Sequence, residues 1–228
     1  VPHITNAIKG KVYKFKETDV DIVITEIGGT VGDIESAVMM ESLRQIRLEQ
    51  GKENTLFVHT TLVPYLYGSN ELKTKPTQNS IIELRRLGIQ PDIIVTRAPI
   101  DLGENVKKKI ALFGSIPIEN IIEAKDVPNI YQIPVNFHNQ NIEDIILKQF
   151  DLKVTKSSLK YWMDLLETVE NLKGEVEIAL VGKYVELEDA YLSVKEALKA
   201  AGYQYQTKVK INWIDSESLE KEDVDLIV

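Results

Sequence analysis

A carboxylate beside a glycine-rich turn is one of two features in this 228-residue sequence that suit chemistry. Glu26 precedes the turn at 28–32 and follows Asp21–Thr25, which is predicted to be a buried strand. Ligands of open α/β sheets gather at the carboxyl ends of strands, and nucleotide-bound Mg²⁺ needs only one or two protein carboxylates. The pattern therefore suits a metal ligand, and it suits equally well a solvated strand end.

Asp33 and Glu35 follow the same turn, where a helix is predicted to begin. Their carboxylates would accept hydrogen bonds from sugar hydroxyls or a base amino group. The structural interpretation, which the pattern alone favours, makes Asp33 an N-cap and Glu35 a partner of the helix dipole. The turn is not a P-loop, because no Lys-Ser or Lys-Thr follows the glycines.

The second feature is a lysine cluster in the segment 73–78 of an otherwise acidic chain. Pro76 is expected to hold Lys75 extended, so that Lys73 and Lys75 project on the same side. Two ammonium groups among hydroxyl and amide neighbours suit a triphosphate. Arg97, at a strand end, and Lys109, on a helix, are further cationic candidates. Ordinary surface charge is the alternative for all of them, as for residues 107 and 108.

The composition excludes several classes of function. The 35 acidic and 27 basic residues give a net charge of −8, which argues against a general nucleic-acid surface. Without cysteine, these residues offer no disulfide or thiolate site. A cytoplasmic location is expected because it fits the absence of cysteine, and no apolar run is long enough for a membrane span and no leader pattern opens the sequence. The three histidines lack zinc spacing and are interpreted as structural.

Short β-branched runs alternate with amphipathic stretches, which predicts an α/β fold with parallel strands and helices on both faces. Ser80 is expected to begin a helix by a capping box. Residues 1–157 are predicted to form one domain, 158–174 a connecting helix, and 175–228 the start of a second α/β domain. A final strand is expected at 223–228. Both ends of the sequence look like cuts, so we expect an internal portion of a longer protein.

Six motifs in order resemble the CTP synthase family. They are EIGGTVGDIES at 26–36, LVPY at 62–65, KTKPTQ at 73–78, GIQPDI at 88–93, KIALF at 109–113 and KDV at 125–127. GKYVELEDAYLSV at 182–194 is similar to the opening of that family's class I glutamine amidotransferase domain. The resemblance implies a Rossmann-like, P-loop-type synthase domain without its P-loop segment, followed by the beginning of the amidotransferase domain.

The resemblance also implies roles residue by residue. Glu26 matches the Mg²⁺ ligand. The segment that contacts inhibitory CTP matches Asp33, Ile34 and Glu35. The UTP and CTP triphosphate site matches Lys73, Thr74, Lys75, Pro76, Thr77, Gln78 and Lys109. The segment that holds the adenine of ATP matches Lys125, Asp126 and Val127. The family's P-loop lysine and its glutaminase Cys, His and Glu have no counterpart here, so the chain alone is expected to be inactive.

The implied activity is ATP-dependent amination of UTP to CTP, in which glutamine-derived ammonia displaces phosphate from a 4-phosphorylated UTP. The implied partners are UTP, ATP, glutamine, CTP as inhibitor, GTP as activator and further copies in a homodimer or homotetramer, with no nucleic acid and no membrane. Two alternatives stay open. One is a regulatory or assembly module that binds nucleotides without catalysis, and the other is a different ATP-dependent amidoligase on the same core.

Overall fold

The computed structural model describes residues 2–153, 158–217 and 219. The chain divides into two compact units, Val1–Ser157 and Ser158–Val228, and each is described by itself. No helix in the described part of the chain combines the length and apolar character needed to cross a membrane. The strand expected at 223–228 lies outside the described residues.

The first unit alternates strands and helices. Its strands are β1 Val58–Leu62, β2 Tyr65–Leu66, β3 Glu71–Leu72, β4 Ile93–Ala98 and β5 Ile121–Lys125. Its helices are α1 Pro2–Val12, α2 Ala37–Gln50, α3 Lys75–Arg86, α4 Glu104–Gly114, α5 Ile133–His138 and α6 Ile142–Gln149. β2 and β3 form a small antiparallel hairpin between β1 and α3.

A parallel sheet in the order β1-β4-β5 forms the centre of this unit. Its middle strand is buried on both sides, which explains why β4 is apolar from Ile93 to Val95 and why Thr96 is buried beside them. Ile94 packs with Ile81 of α3 and Ile110 of α4. Ile93 and Val95 point to the opposite face, against side chains of α5 and α6. The predicted α/β class, with parallel strands covered by helices on both faces, is confirmed.

The strand predicted at Asp21–Thr25 does not form. The segment has no regular secondary structure, and the side chain of Ile24 is 92% exposed. A strand is stable only when a neighbour receives its backbone hydrogen bonds, and in the described chain β1 pairs only with β4. The prediction of a buried strand there was therefore wrong for this structure.

The helix predicted to begin at Ser80 begins five residues earlier, at Lys75. Proline is well accepted in the first helical turn, because its missing N–H would have had no partner there. Pro76 therefore belongs to the helix and does not extend the chain before it. The C-terminal limit agrees with the prediction, since the helix ends before Gly88, whose φ is +79°.

The second unit contains the helix α7 Lys160–Glu170, the strand β6 Gly174–Gly182, the helix α8 Leu192–Gln204 and the strand β7 Thr207–Asp215. β6 and β7 are parallel and pair residue by residue from Gly174 with Thr207 to Gly182 with Asp215. This is a β-α-β arrangement, as the sequence predicts. Its assignment to an amidotransferase domain remains a prediction.

Candidate functional site

The carboxyl ends of β1, β4 and β5 lie at one edge of the sheet because the three strands are parallel. β1 continues into the β2-β3 hairpin and the start of α3. β4 continues through the loop 99–103 into α4, and β5 into the segment 126–128. Ligand sites of open α/β sheets form at this edge, and two cavities lie there.

The first cavity, of about 480 Å³, contains the segment 125–127 that follows β5. It is polar, and its wall combines charged groups with a row of side-chain amides from α5 and the turn that follows. Its lining residues are Asp101, Lys107, Glu123, Lys125, Asp126, Val127, Pro128, Gln132, Asn136, Asn139 and Gln140. Amides offer both donors and acceptors, so this wall suits a nucleoside better than a bare phosphate.

The second cavity, of about 440 Å³, lies between the hairpin and the first turns of α3 and α4. Its lining residues are Tyr65, Asn70, Glu71, Leu72, Thr74, Ile100, Asp101, Leu102, Asn105, Val106 and Lys109. Two helices begin at this cavity, and helix N-termini attract anions through free N–H groups and the helix dipole. The arrangement suits an anionic ligand.

Asp101 lines both cavities. Its carboxylate accepts a hydrogen bond from the Lys125 ammonium at 2.9 Å. The Asp101 side chain is largely exposed and that of Lys125 is partly exposed, so the ion pair is accessible to a ligand. The two cavities are therefore neighbours with a charged residue in common.

The segment 73–78 forms the entry to α3, and its residues divide into two groups. Thr74, Thr77 and Gln78 are buried: the Thr77 hydroxyl donates to the Leu62 carbonyl at 2.9 Å, and the Gln78 amide donates to the Thr74 hydroxyl at 2.8 Å. These three residues hold the helix start against β1. If this segment binds phosphate as predicted, the binding groups are therefore mainly its lysines and the N-terminus of α3.

The lysines of this segment do not share one extended face. Lys73 lies before the helix and forms an ion pair with Glu71 on the hairpin. Lys75 is the first helical residue and is exposed, and within the described residues it has no ion-pair partner. The expectation that Pro76 would keep Lys75 extended beside Lys73 was wrong, because α3 begins at Lys75.

α4 directs neighbouring lysines to different places. Lys109 is exposed and lines the second cavity, and among the described residues it forms no ion pair. Lys107 lies in the first cavity and contacts the Glu123 carboxylate at 2.8 Å, with only 23% of its side chain exposed. The interpretation of Lys107 as ordinary surface charge is thus corrected, whereas Lys108 does form a surface pair with Glu104.

Arg97 and the segment after β5 are joined at the same edge. Arg97 Nε donates to Asp126 Oδ1 at 2.8 Å, and the Asp126 N–H donates to the Ala98 carbonyl at 2.9 Å. These two bonds fix the end of β5 to the end of β4. The predicted adenine segment is therefore held in place before any ligand arrives.

The acidic residues of the glycine-rich turn lie elsewhere. Glu26 is exposed, and the adjacent Ile27 packs against a cluster that includes Leu84 near the end of α3 and Ile89 before β4. This cluster lies at the amino-terminal side of the sheet, opposite the two cavities. One chain therefore does not bring Glu26 together with Lys75 or Lys109.

Asp33, Ile34 and Glu35 are exposed on the same side, and Ile34 is 91% exposed. Asp33 stands at the N-cap of a short 3₁₀ turn that leads into α2, but its side chain makes no capping hydrogen bond. The N-cap position is thus as expected, without the expected bond. In the described part of the chain, no three acidic or histidine side chains form a metal-binding group.

Pattern reasoning missed Asp101, Glu123 and Gln140. Glu123 bonds to the Leu102 N–H and to Lys107, and Gln140 bonds to the backbone of Glu123. Asp101 had a usable signal, because it stands three residues beyond β4 on a strand-to-helix loop. Gln140 had none, since its contact joins residues 17 positions apart in sequence.

Comparisons with known proteins give one family. A family model described as the CTP synthase N-terminus matches residues 1–152. The chain is 50% identical over 226 residues to a CTP synthase of Caldanaerobacter subterraneus subsp. tengcongensis, covering 99% of this chain and 42% of that protein. It is 49% identical over 229 residues to a CTP synthase of Mycoplasma capricolum, covering all of this chain and 43% of that protein. The chain thus spans less than half the length of these relatives.

Proposed function

The chain belongs to the CTP synthase family, and on that premise we propose that it supplies most of the synthase domain of an enzyme that aminates UTP to CTP. In this reaction ATP phosphorylates the uracil O4, and ammonia from glutamine displaces the phosphate. The observation that carries the proposal is the pair of adjoining cavities that share Asp101. Two nucleotides must meet for phosphoryl transfer, and two adjacent sites at one sheet edge provide for this.

The second cavity is proposed to hold the pyrimidine nucleotide. Lys109 lines it and Lys75 stands at the adjacent helix start, and both ammonium groups are exposed. A triphosphate carries several negative charges, which cations and helix N-termini stabilise together. Lys73 would join them by exchanging its contact with Glu71 for a phosphate.

The first cavity is proposed to hold ATP. The side-chain amides of Gln132, Asn136 and Asn139 offer hydrogen bonds to the edge of a purine, and carboxylates such as Asp126 accept bonds from ribose hydroxyls. The charged side chains of this wall, Lys107 and Lys125 among them, already have partners within the protein. The uncharged part of the nucleotide therefore fits here, with its phosphates towards the second cavity, where Lys109 and two helix starts lie.

Mg²⁺ is proposed to enter as the nucleotide complex, with Glu26 as its protein ligand. Mg²⁺ accepts one or two carboxylates and completes its shell with water and phosphate, so a single exposed carboxylate is compatible with it. Since Glu26 of one chain does not reach the cavities, this role requires residues beyond one described chain. The same holds for the proposed contact of Asp33, Ile34 and Glu35 with inhibitory CTP.

The second unit is proposed to be the start of a glutamine amidotransferase domain, which supplies the ammonia. Glutamine, GTP as activator and a homodimeric or homotetrameric assembly are proposed with it. Because the chain corresponds to 42% of its relative, we propose that these residues act only within a full-length enzyme.

The test is synthesis of CTP by a full-length CTP synthase that carries these 228 residues. CTP should form from UTP when ATP and either glutamine or ammonia are supplied, and its formation should stop when ATP or UTP is omitted. Nucleotide binding without turnover would instead support a regulatory module. Amination of an unrelated carboxylic acid, with no competition from UTP, would support a different amidoligase.

A further inference from the structure

The outer edge of β5 is closed by a side chain. In the described sheet β5 pairs with β4 on one side only, so backbone groups on its other side need partners. The Glu123 N–H donates to Gln140 Oε1 at 2.7 Å, and Gln140 Nε2 donates to the Glu123 carbonyl at 2.9 Å. The Gln140 amide thus replaces a neighbouring strand at this residue.

A primary amide is needed for this contact because it offers an acceptor and a donor side by side. The second N–H of Gln140 donates to the Asn136 carbonyl at 3.1 Å, near the end of α5. Gln140 therefore joins β5 to the helix whose amides line the first cavity.

The side chain of Glu123 continues the connection on the other side of the cavity. Its carboxylate accepts hydrogen bonds from the Leu102 N–H at 2.9 Å and contacts Lys107 Nζ at 2.8 Å. Leu102 is buried beside Asp101 in the loop that separates the cavities. The side chain of Glu123 thus holds the loop that separates the two cavities. The backbone of Glu123 is in turn held by the Gln140 amide.

We infer that Gln140 is a positioning residue for the ATP cavity, acting through the backbone of Glu123 on the segment 125–127. This inference rests on the proposed function. Lys125 lies two residues beyond the contact, and the Asp126 N–H is held from the other side by Ala98. The segment that would meet the adenine is therefore clamped from both sides, and removal of one clamp should loosen the ATP site.

The test compares Gln140→Glu with Gln149→Glu in a full-length CTP synthase that carries this chain. The replacement of Gln140 keeps the shape of the side chain but places a carboxylate oxygen against the Glu123 carbonyl. Gln149 is a matched control, because its amide also donates to a backbone carbonyl, that of Lys52 at 2.6 Å, away from both cavities.

Gln140→Glu should raise the KM for ATP roughly tenfold, because it leaves a partly buried carbonyl without its donor. The kcat and the KM for UTP should stay within about twofold of the parent values, since only binding in one cavity is weakened. Gln149→Glu should leave all three constants unchanged. A general loss of folded enzyme would instead lower the apparent kcat of Gln140→Glu and leave both KM values intact, and that result would overturn the inference.

Equal constants for both variants would also overturn it. The failure of the proposed function is distinguishable, because the parent enzyme itself would then form no CTP from UTP.

Discussion

Asp101 and Lys125 form an ion pair at 2.9 Å on the wall between two cavities, and Asp101 belongs to both. The pair joins the loop after β4 to the end of β5. Exposed pairs of this kind contribute little to stability, about 1 kcal/mol or less. Its importance is therefore one of placement, because it lies where the two proposed nucleotide sites adjoin.

Lys75→Ala should weaken the binding of UTP and CTP by about tenfold or more, because it removes from the start of α3 a cation that has no ion-pair partner within the described residues. The free energy of unfolding should change by less than about 0.5 kcal/mol, as is usual for an exposed side chain. Isothermal calorimetry and urea unfolding would measure the two effects. Lys108→Ala is the matched control, since Lys108 pairs with Glu104 at the surface. Unchanged nucleotide affinity in Lys75→Ala would refute the triphosphate assignment.

Glu35→Ala should relieve inhibition by CTP more than it lowers turnover of UTP. Glu35 is exposed at the 3₁₀ turn before α2, and its removal should leave the two cavities intact. Inhibition curves for CTP at fixed UTP would show the change, with the exposed Glu17→Ala as control. Equal losses of CTP inhibition and UTP turnover would contradict the separate role proposed for this segment.

Glu26→Gln should abolish magnesium-dependent turnover in the full-length enzyme. The amide keeps the shape of the side chain but removes the charge that a hard cation requires. Titration of initial rate with Mg²⁺ is the measurement, and Glu17→Gln is the control for loss of an exposed acid from the same part of the chain. A normal rate in Glu26→Gln would place the metal on other residues.

The stability of the chain should fall as the pH drops below about 6.5, the ordinary pKa of histidine. Burial lowers the pKa of His59, whose ring lies 3.0 Å from the Ser80 hydroxyl. As the pH falls, the unfolded chain therefore takes up a proton at a higher pH than the folded chain does. The contribution of His59 to the free energy of unfolding is complete above pH 6.5 and is lost as the pH falls towards the lower pKa of the folded state. The slope in this window is at most about 1.4 kcal/mol per pH unit for one group.

Urea unfolding at a series of pH values would measure this slope, and His59→Gln should reduce it. His3→Gln is the control, because His3 is an exposed histidine of α1. An identical slope in the parent and in His59→Gln would assign the effect to other groups.

The spacing of apolar residues correctly predicted the strands and helices that are buried by other elements of the same unit. β4 begins with three buried apolar residues because helices cover both of its faces, and its position was predicted within one residue. Asp21–Thr25 has the same composition, but the described chain offers it no hydrogen-bonding neighbour. Sequence pattern measures the tendency to be buried, whereas strand formation also depends on a partner.

The candidate site was predictable only as far as it follows a strand end. The segments 73–78 and 125–127 do lie at the carboxyl edge of the sheet, one in each of two adjoining regions. Lys107 was misjudged because helix periodicity does not reveal which carboxylate, here Glu123, faces a lysine. The roles assigned to Glu26 and to Asp33, Ile34 and Glu35 stay predictions.

The hydrogen bond that the Thr77 hydroxyl donates to the Leu62 carbonyl ties the start of α3 to the end of β1. The Val63 N–H is in turn bonded to the Arg97 carbonyl at 2.8 Å, so strand, helix entry and neighbouring strand move together. The backbone of Lys75 consequently rests on a base that is tied to two strands, and its flexible four-carbon stem is left to adjust to a ligand.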